Sequence, residues 1–230
     1  MGVKDLEILF EDNHVLAVNK PAGLLVHGDE TGDITLADLA KEYIKHKYNK
    51  PGNVFIGVVH RLDRPVSGVV LLAKTSKALT RLNELFRSKK TRKIYWAVVL
   101  NRPALESNTL VHWLVKDPSK NVTKAFAKEN PAGARSELNY KMLGEQQGKY
   151  LLEVNPITGR PHQIRVQLAS MRCTIAGDLK YGAAHPLPDK SIALHARQLQ
   201  FEHPTLKSTI SVSAPLPSTT IWAPFANYKL

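Results

Sequence analysis

Only one cysteine, Cys173, stands in 230 residues. A lone thiol closes no intrachain disulfide and gives zinc no thiolate set. Cys173 is therefore expected as a small buried hydrophobe in a reducing compartment. No run approaches the ~18 apolar residues of a membrane helix. The opening residues, Met1 to Glu7, carry acids where a signal peptide needs an apolar stretch, which points to a cytoplasmic chain. Repeats, low-complexity tracts and Gly/Ser linkers are missing as well. There is no GxGxxG. Gly144-Glu145-Gln146-Gln147-Gly148-Lys149 has one residue too few between its glycines for a Walker loop, and Tyr150 sits where Ser or Thr should hold magnesium. That segment reads as a hairpin turn. The nine histidines form neither HxxxH nor HExxH, and no serine sits in a GxSxG elbow. Neither a metal site nor a nucleotide cofactor is expected.

What is abundant is positive charge. Thirty-two Lys and Arg against 20 Asp and Glu leave a net charge of +12. An excess of that size suits a polyanionic partner, nucleic acid above all, although net charge also serves solubility. Hydrophobic residues at 43% and charged residues at 23% are ordinary for a globular chain, and the length suffices for one large domain or two small ones. Apolar strands dominate. Leu6–Phe10 and Val15–Asn19 are followed by the tight turn Lys20-Pro21-Ala22-Gly23. Helical spacing and a Thr35/Asp38 capping box predict a helix over Thr35–Tyr48, and Leu79, Leu82, Leu85 and Phe86 predict a second over Ser76–Ser88. Phe55–Val59, Val69–Ala73, the alternating Lys93–Leu100, His112–Lys116, Lys124–Ala127, Ser136–Leu143, Tyr150–Asn155, Ala193–Phe201 and Thr209–Ser213 read as strands. A short helix over about His162–Met171 follows Pro156–Pro161. Strands outnumber helices without regular alternation. This favours an α+β fold with a mostly antiparallel mixed sheet flanked by a few helices.

Three polar segments interrupt the apolar pattern. His60-Arg61-Leu62-Asp63-Arg64 lies between two strands, where a loop at the end of a sheet typically carries a site. It is either a solvated turn or a carboxylate kept ionised among guanidinium groups that grip phosphates. Thr158-Gly159-Arg160-Pro161-His162-Gln163-Ile164-Arg165 closes a strand and opens a helix, with Pro161 suited to the first turn. Arg160, His162 and Arg165 then gather at a helix N-terminus, a natural anion site or simply a capped end. Lys89-Lys90-Thr91-Arg92-Lys93 is the densest basic run. It is a phosphate-contact stripe or the charged end of a helix favoured by its dipole.

Taken in order, these segments resemble the RluA-type family of RNA pseudouridine synthases across nearly the whole chain. Asn19-Lys20-Pro21-Ala22-Gly23 with Leu25-Val26-His27 is similar to the family's opening. His60-Arg61-Leu62-Asp63 with Ser67-Gly68 and Leu71-Leu72-Ala73-Lys74 is similar to its nucleophile segment, Lys93-Ile94-Tyr95 to its tyrosine strand, and Thr158 through Arg165 to its arginine segment. Gly177-Asp178, Tyr181-Gly182, Leu194-His195-Ala196 and Phe201-Glu202-His203-Pro204 are similar to its closing segments. The resemblance implies an isomerase that breaks the N1–C1′ bond of a uridine in ribosomal or transfer RNA and rejoins the uracil through C5. It implies Asp63 as nucleophile, Tyr95 as general base and stacking group, and Arg165 as the partner that orients Asp63. Arg61 would fill the space left by the flipped nucleotide, and His60, Lys93, Arg160 and His162 would contact RNA. Val66, Pro161 and Gln167 depart from the family's usual Thr, Thr and His. With about five residues before the first strand, no S4-type RNA-binding domain is expected, and residues 1–230 would be one catalytic domain. A non-catalytic RNA-binding module on the same fold is the rival reading, and a glycosylase that releases uracil is a second.

Overall fold

The structure is a computed structural model that describes residues 5–28 and 32–230, so Met1–Lys4 of the opening lie outside it. The chain forms two compact units, Met1–Lys93 with Ala196–Pro215 and Ile94–His195 with Leu216–Leu230.

The first unit is built on β1 (Glu7–Glu11), β2 (Val15–Lys20), β3 (Gly57–Val58), β4 (Ser67–Ala73), most of β10 (Leu194–Glu202) and β11 (Thr209–Ser213). The order is β1-β2-β4-β10, with β3 on β4 and β11 on β10. The pairs β1–β2, β2–β4, β3–β4 and β10–β11 are antiparallel. All seven residues of β4 are buried, which is why its sequence is a continuous apolar run rather than an alternating one. Val15, Ala17, Val69 and Leu71 pack with Leu82, Phe201 and Val212 in one core. The five-residue strand expected over Phe55–Val59 shrinks to Gly57–Val58, because β2 and β10 already flank β4 and leave β3 only Leu72 and Ala73 to pair with.

Both predicted helices of this unit form. α1 (Leu36–Lys47) has the expected Thr35/Asp38 capping box, and α2 (Ser76–Arg87) is capped by the Thr75 side chain. Gly68 carries a φ of 116°, and a Cβ there would meet the backbone of Ala196, 2.6 Å from its nitrogen. Only glycine allows this approach.

The second unit carries β5 (Arg92–Val99) from Ile94 onward, β6 (Ser107–Asp117), β7 (Val122–Phe126), β8 (Ala134–Gln146), β9 (Lys149–Pro156) and α3 (Gln163–Ser170). Its order is β5-β9-β8-β6-β7, antiparallel throughout. The 144–150 segment is a hairpin turn as expected: Gln146 pairs Lys149, and Gln147 and Gly148 take φ of 55° and 69°, as a two-residue primed turn requires. Trp96 to Val99 are buried on both faces, so the alternation in β5 does not mark a solvated side. Cys173 is buried and donates to the Asn101 carbonyl at 3.4 Å. With strands and helices grouped rather than alternating, the fold is α+β with a mixed sheet.

Candidate active site

In the first unit, the loop between Val58 and Ser67 carries His60, Arg61 and Asp63, and it is held mainly through main-chain atoms. The Val66 amide closes a turn on the Asp63 carbonyl at 3.0 Å, and the Gly23 amide donates to the Arg64 carbonyl at 2.7 Å. Arg64 Nε returns a bond to the Gly23 carbonyl at 3.0 Å, while its guanidinium pairs with Asp33 at 3.0 Å. Beneath them lies Lys20, wholly buried, whose ammonium donates to the carbonyls of Pro21 (2.9 Å), Leu24 (2.8 Å) and Arg64 (3.3 Å). Burial pushes the Lys20 ammonium down to about 7, the Asp63 charge opposes that fall, and Arg64 adds to it. Asp63 is half-buried, with the exposed Arg61 and Arg64 near it in sequence.

His60 stacks on Phe86, with ring centroids 4.8 Å apart, and its Nε2 accepts the Leu71 amide at 3.0 Å. That bond assigns the ring proton to Nδ1. Removal from water, reinforced by Lys93, pushes the imidazole down to about 3. Lys93 is itself lowered, by burial first and then by Lys89. A cavity of about 590 Å³ opens beside the loop, walled by His27, Asp38, Lys41, Ile56, His60 and Arg61.

The second unit holds Tyr95, Arg160, His162 and Arg165. Tyr95 is half-buried on β5, opposite Val154. The Thr158–Arg165 segment is organised by side chains. The Thr158 hydroxyl donates to Gln163 Oε1 at 2.8 Å, the Arg160 amide donates to the same oxygen at 3.0 Å, and Gln163 Nε2 reaches the Glu137 carbonyl at 3.0 Å. The helix therefore starts at Gln163, and Pro161 lies before it rather than in its first turn. His162 is the N-cap residue, in a left-handed conformation with no side-chain cap bond, and its Nδ1 lies 2.7 Å from the Tyr181 hydroxyl. The Thr123 amide donates to that same hydroxyl at 2.9 Å.

Arg165 is buried and forks onto the buried Asp178, Nε to Oδ2 at 2.7 Å and Nη2 to Oδ1 at 2.8 Å. Its guanidinium also lies over the Tyr181 ring, 5.1 Å from the centroid. A fork of this kind fixes the plane and direction of the guanidinium. Arg160 is exposed. Three residues with clear structural work here, Lys20, Asp178 and Tyr181, had no role assigned from sequence. The only signal was their place in the segments that carry the family resemblance. Among the described residues, no helix is long and apolar enough to cross a membrane.

Comparison with known proteins gives the family. The sequence model of the RNA pseudouridylate synthase family matches residues 14–170, and the chain belongs to that family, whose members are isomerases. The chain is 33% identical over 222 residues to the ribosomal large subunit pseudouridine synthase C of Vibrio cholerae, covering 93% of this chain and 67% of that one. It is 34% identical over 218 residues to the uncharacterized RNA pseudouridine synthase YhcT of Bacillus subtilis, covering 93% and 70%. The chain thus spans about two thirds of the length of these relatives. Among solved structures, Human RNA Pseudouridylate Synthase Domain Containing 4 shares the fold with a TM-score of 0.77 and 26% identity, over 92% of this chain and 89% of that one.

Proposed function

We propose that the chain isomerises uridine to pseudouridine in ribosomal RNA, with Asp63 as the nucleophile. The observation that carries this reading is the carboxylate loop: Asp63 is half-buried, its carbonyl accepts the Val66 amide, and the next carbonyl, of Arg64, accepts both the Gly23 amide and the buried Lys20 ammonium. The names of relatives such as the Vibrio cholerae enzyme favour ribosomal over transfer RNA. A stacked base hides its glycosidic bond, so the target nucleotide is extruded at a cost of a few kcal/mol. Arg61 takes the vacated space, and planar Arg and Tyr groups return about 1–3 kcal/mol per base by stacking.

The N1–C1′ bond breaks with Asp63 bonding the nucleotide as nucleophile, the uracil turns, C5 bonds to C1′, and the bond to Asp63 is released so that the carboxylate is regenerated. The proton leaving C5 goes to Tyr95 as base, N1 takes up a proton, and the atoms balance as in any isomerisation. The resemblance assigns Arg165, whose guanidinium Asp178 holds, the role of partner to Asp63. Following the resemblance, His60, Lys93, Arg160 and His162 contribute RNA contacts. A non-catalytic RNA-binding module would have no use for a carboxylate fixed in this way.

The test is incubation with ribosomal and transfer RNA, followed by pseudouridine mapping and assay of free uracil. Pseudouridine at a defined ribosomal uridine, without free uracil, is the expected result. Free uracil would make the protein a glycosylase. Pseudouridine in transfer RNA alone would move the substrate. RNA binding without either product would make it a binding module.

A further inference from the structure

The basic turn after α2 has no role in that chemistry. Its backbone closes in the doubly bonded helix-ending motif: the Lys90 amide donates to the Leu85 carbonyl at 2.9 Å and the Lys89 amide to the Phe86 carbonyl at 3.3 Å. This motif puts Lys89 in the left-handed region, with φ 56°. Glycine is the residue that suits that position best, and a side chain there costs on the order of 1 kcal/mol. α1 ends in the same way but fills the position with Asn49, which tolerates the conformation. A cation also meets the negative end of a helix, as Arg172 does after α3, so charge at this position is not by itself a ligand signal.

The surroundings add the second observation. Lys89, Lys90 and Arg92 line a groove of about 510 Å³ together with Thr91, Gln200 and Thr209. All three cations are exposed, and none is ion-paired among the described residues. Glu202, the one carboxylate of the groove, is taken by Lys207 at 3.0 Å. The groove adjoins the His60 loop, because Leu85 in its wall precedes Phe86, which stacks on His60 with ring centroids 4.8 Å apart. Three unpaired cations on four consecutive residues, one held at a conformational cost, suit an extended polyanion passing the loop.

We propose that Lys89, Lys90 and Arg92 bind backbone phosphates of the substrate RNA outside the nucleotide being isomerised. This rests on the reading of the chain as an RNA enzyme. It names an edge that sets affinity for the flanking RNA and takes no part in bond-making.

The test uses Lys89→Gly alone and Lys89→Gly/Lys90→Gln/Arg92→Gln, measured by RNA titration at several salt concentrations, single-turnover kinetics and thermal melting. Lys89→Gly should melt at or above the wild-type temperature and bind RNA more weakly. The triple variant should raise Kd and KM about tenfold or more, keep kcat at saturating RNA within twofold, and flatten the salt slope by about 2, at roughly 0.7 per lost contact. A triple variant with wild-type Kd and salt slope overturns the inference, and so does a Lys89→Gly variant that loses melting temperature but no RNA affinity, since that assigns the cation to the helix end. Failure of the catalytic reading looks different: the wild-type protein would then make no pseudouridine, while its RNA titration still reports on these cations.

Discussion

The two polar segments are positioned by different means. In the first unit the Asp63 loop is fixed by main-chain geometry: Lys20 on three carbonyls, Gly23 and Arg64 exchanging bonds, and Gly68 allowing the close approach to Ala196. In the second unit the Thr158–Arg165 segment is fixed by side chains meeting side chains: Gln163 with Thr158, His162 with Tyr181, and Arg165 with Asp178. A main-chain scaffold fixes where a loop runs through its amides and carbonyls. A side-chain scaffold orients one particular group, here a guanidinium, and makes it depend on a partner's charge. The first arrangement is sensitive to added bulk, the second to removed charge.

The largest effect should follow from added bulk. Gly68→Ala places a Cβ against the Ala196 backbone and forces an alanine into a φ of 116°. Neither clash is relieved by turning a side chain, so a loss above about 4 kcal/mol, and an unfolded or insoluble product, is expected. Circular dichroism and denaturant titration check it, and a Gly68→Ala protein with wild-type stability would show that the loop does not depend on that approach.

Removing charge comes next. Asp178→Ala leaves the Arg165 guanidinium without its buried carboxylate and should cost about 3–5 kcal/mol. At roughly 2–4 °C per kcal/mol for a chain of this size, Tm should fall by roughly 6–20 °C. A melting point within a degree or two of wild type would mean that the fork contributes little to the second unit.

A smaller effect separates the segments by pH. The folded pKa of His60, about 3, lies below the unfolded value of 6.5, so the unfolded chain takes up the proton first. Stability from this group is therefore complete above about 6.5 and is lost as pH falls toward 3, with a slope approaching about 1.4 kcal/mol per unit. His60→Gln should flatten that part of the stability–pH curve. Parallel curves for variant and wild type would place the imidazole in water instead. The smallest expected effect is none: EDTA should leave activity unchanged once the RNA is folded. A loss restored by one divalent ion, with RNA folding controlled, would reveal a metal requirement.

What was legible in the sequence was local. The Thr35/Asp38 capping box needs only three residues of spacing, and the Gln147-Gly148 turn needs only two permissive positions. The buried run Val69–Ala73 announced a central strand. What was not legible depends on distance along the chain. Asp178 lies 13 residues beyond Arg165, and nothing in the periodicity of α3 points to it. The apolar stripe of α3 suggested an amphipathic helix, yet Gln163, Arg165 and Gln167 are as buried as Ile164 and Leu168, because Gln163 bonds Thr158 and the Glu137 carbonyl, Arg165 bonds Asp178 and the Gln167 amide nitrogen donates to the Leu110 carbonyl. Lys20 reads as a turn residue, since the sequence does not say where a four-carbon stem ends. The division into two units left no trace in composition either. Two of the three crossings fall inside β5 and β10, where no Pro- or Gly-rich linker is needed, and only the third, at Pro215–Leu216, lies in a Pro-containing connection.

The most direct measurement is pseudouridine formation by Asp63→Ala under single-turnover conditions, beside an RNA titration of the same folded protein. The carboxylate acts in the covalent step, whereas affinity comes mostly from Lys and Arg contacts with phosphates. The account predicts no detectable pseudouridine, with Kd raised less than tenfold. Wild-type turnover by Asp63→Ala would contradict it.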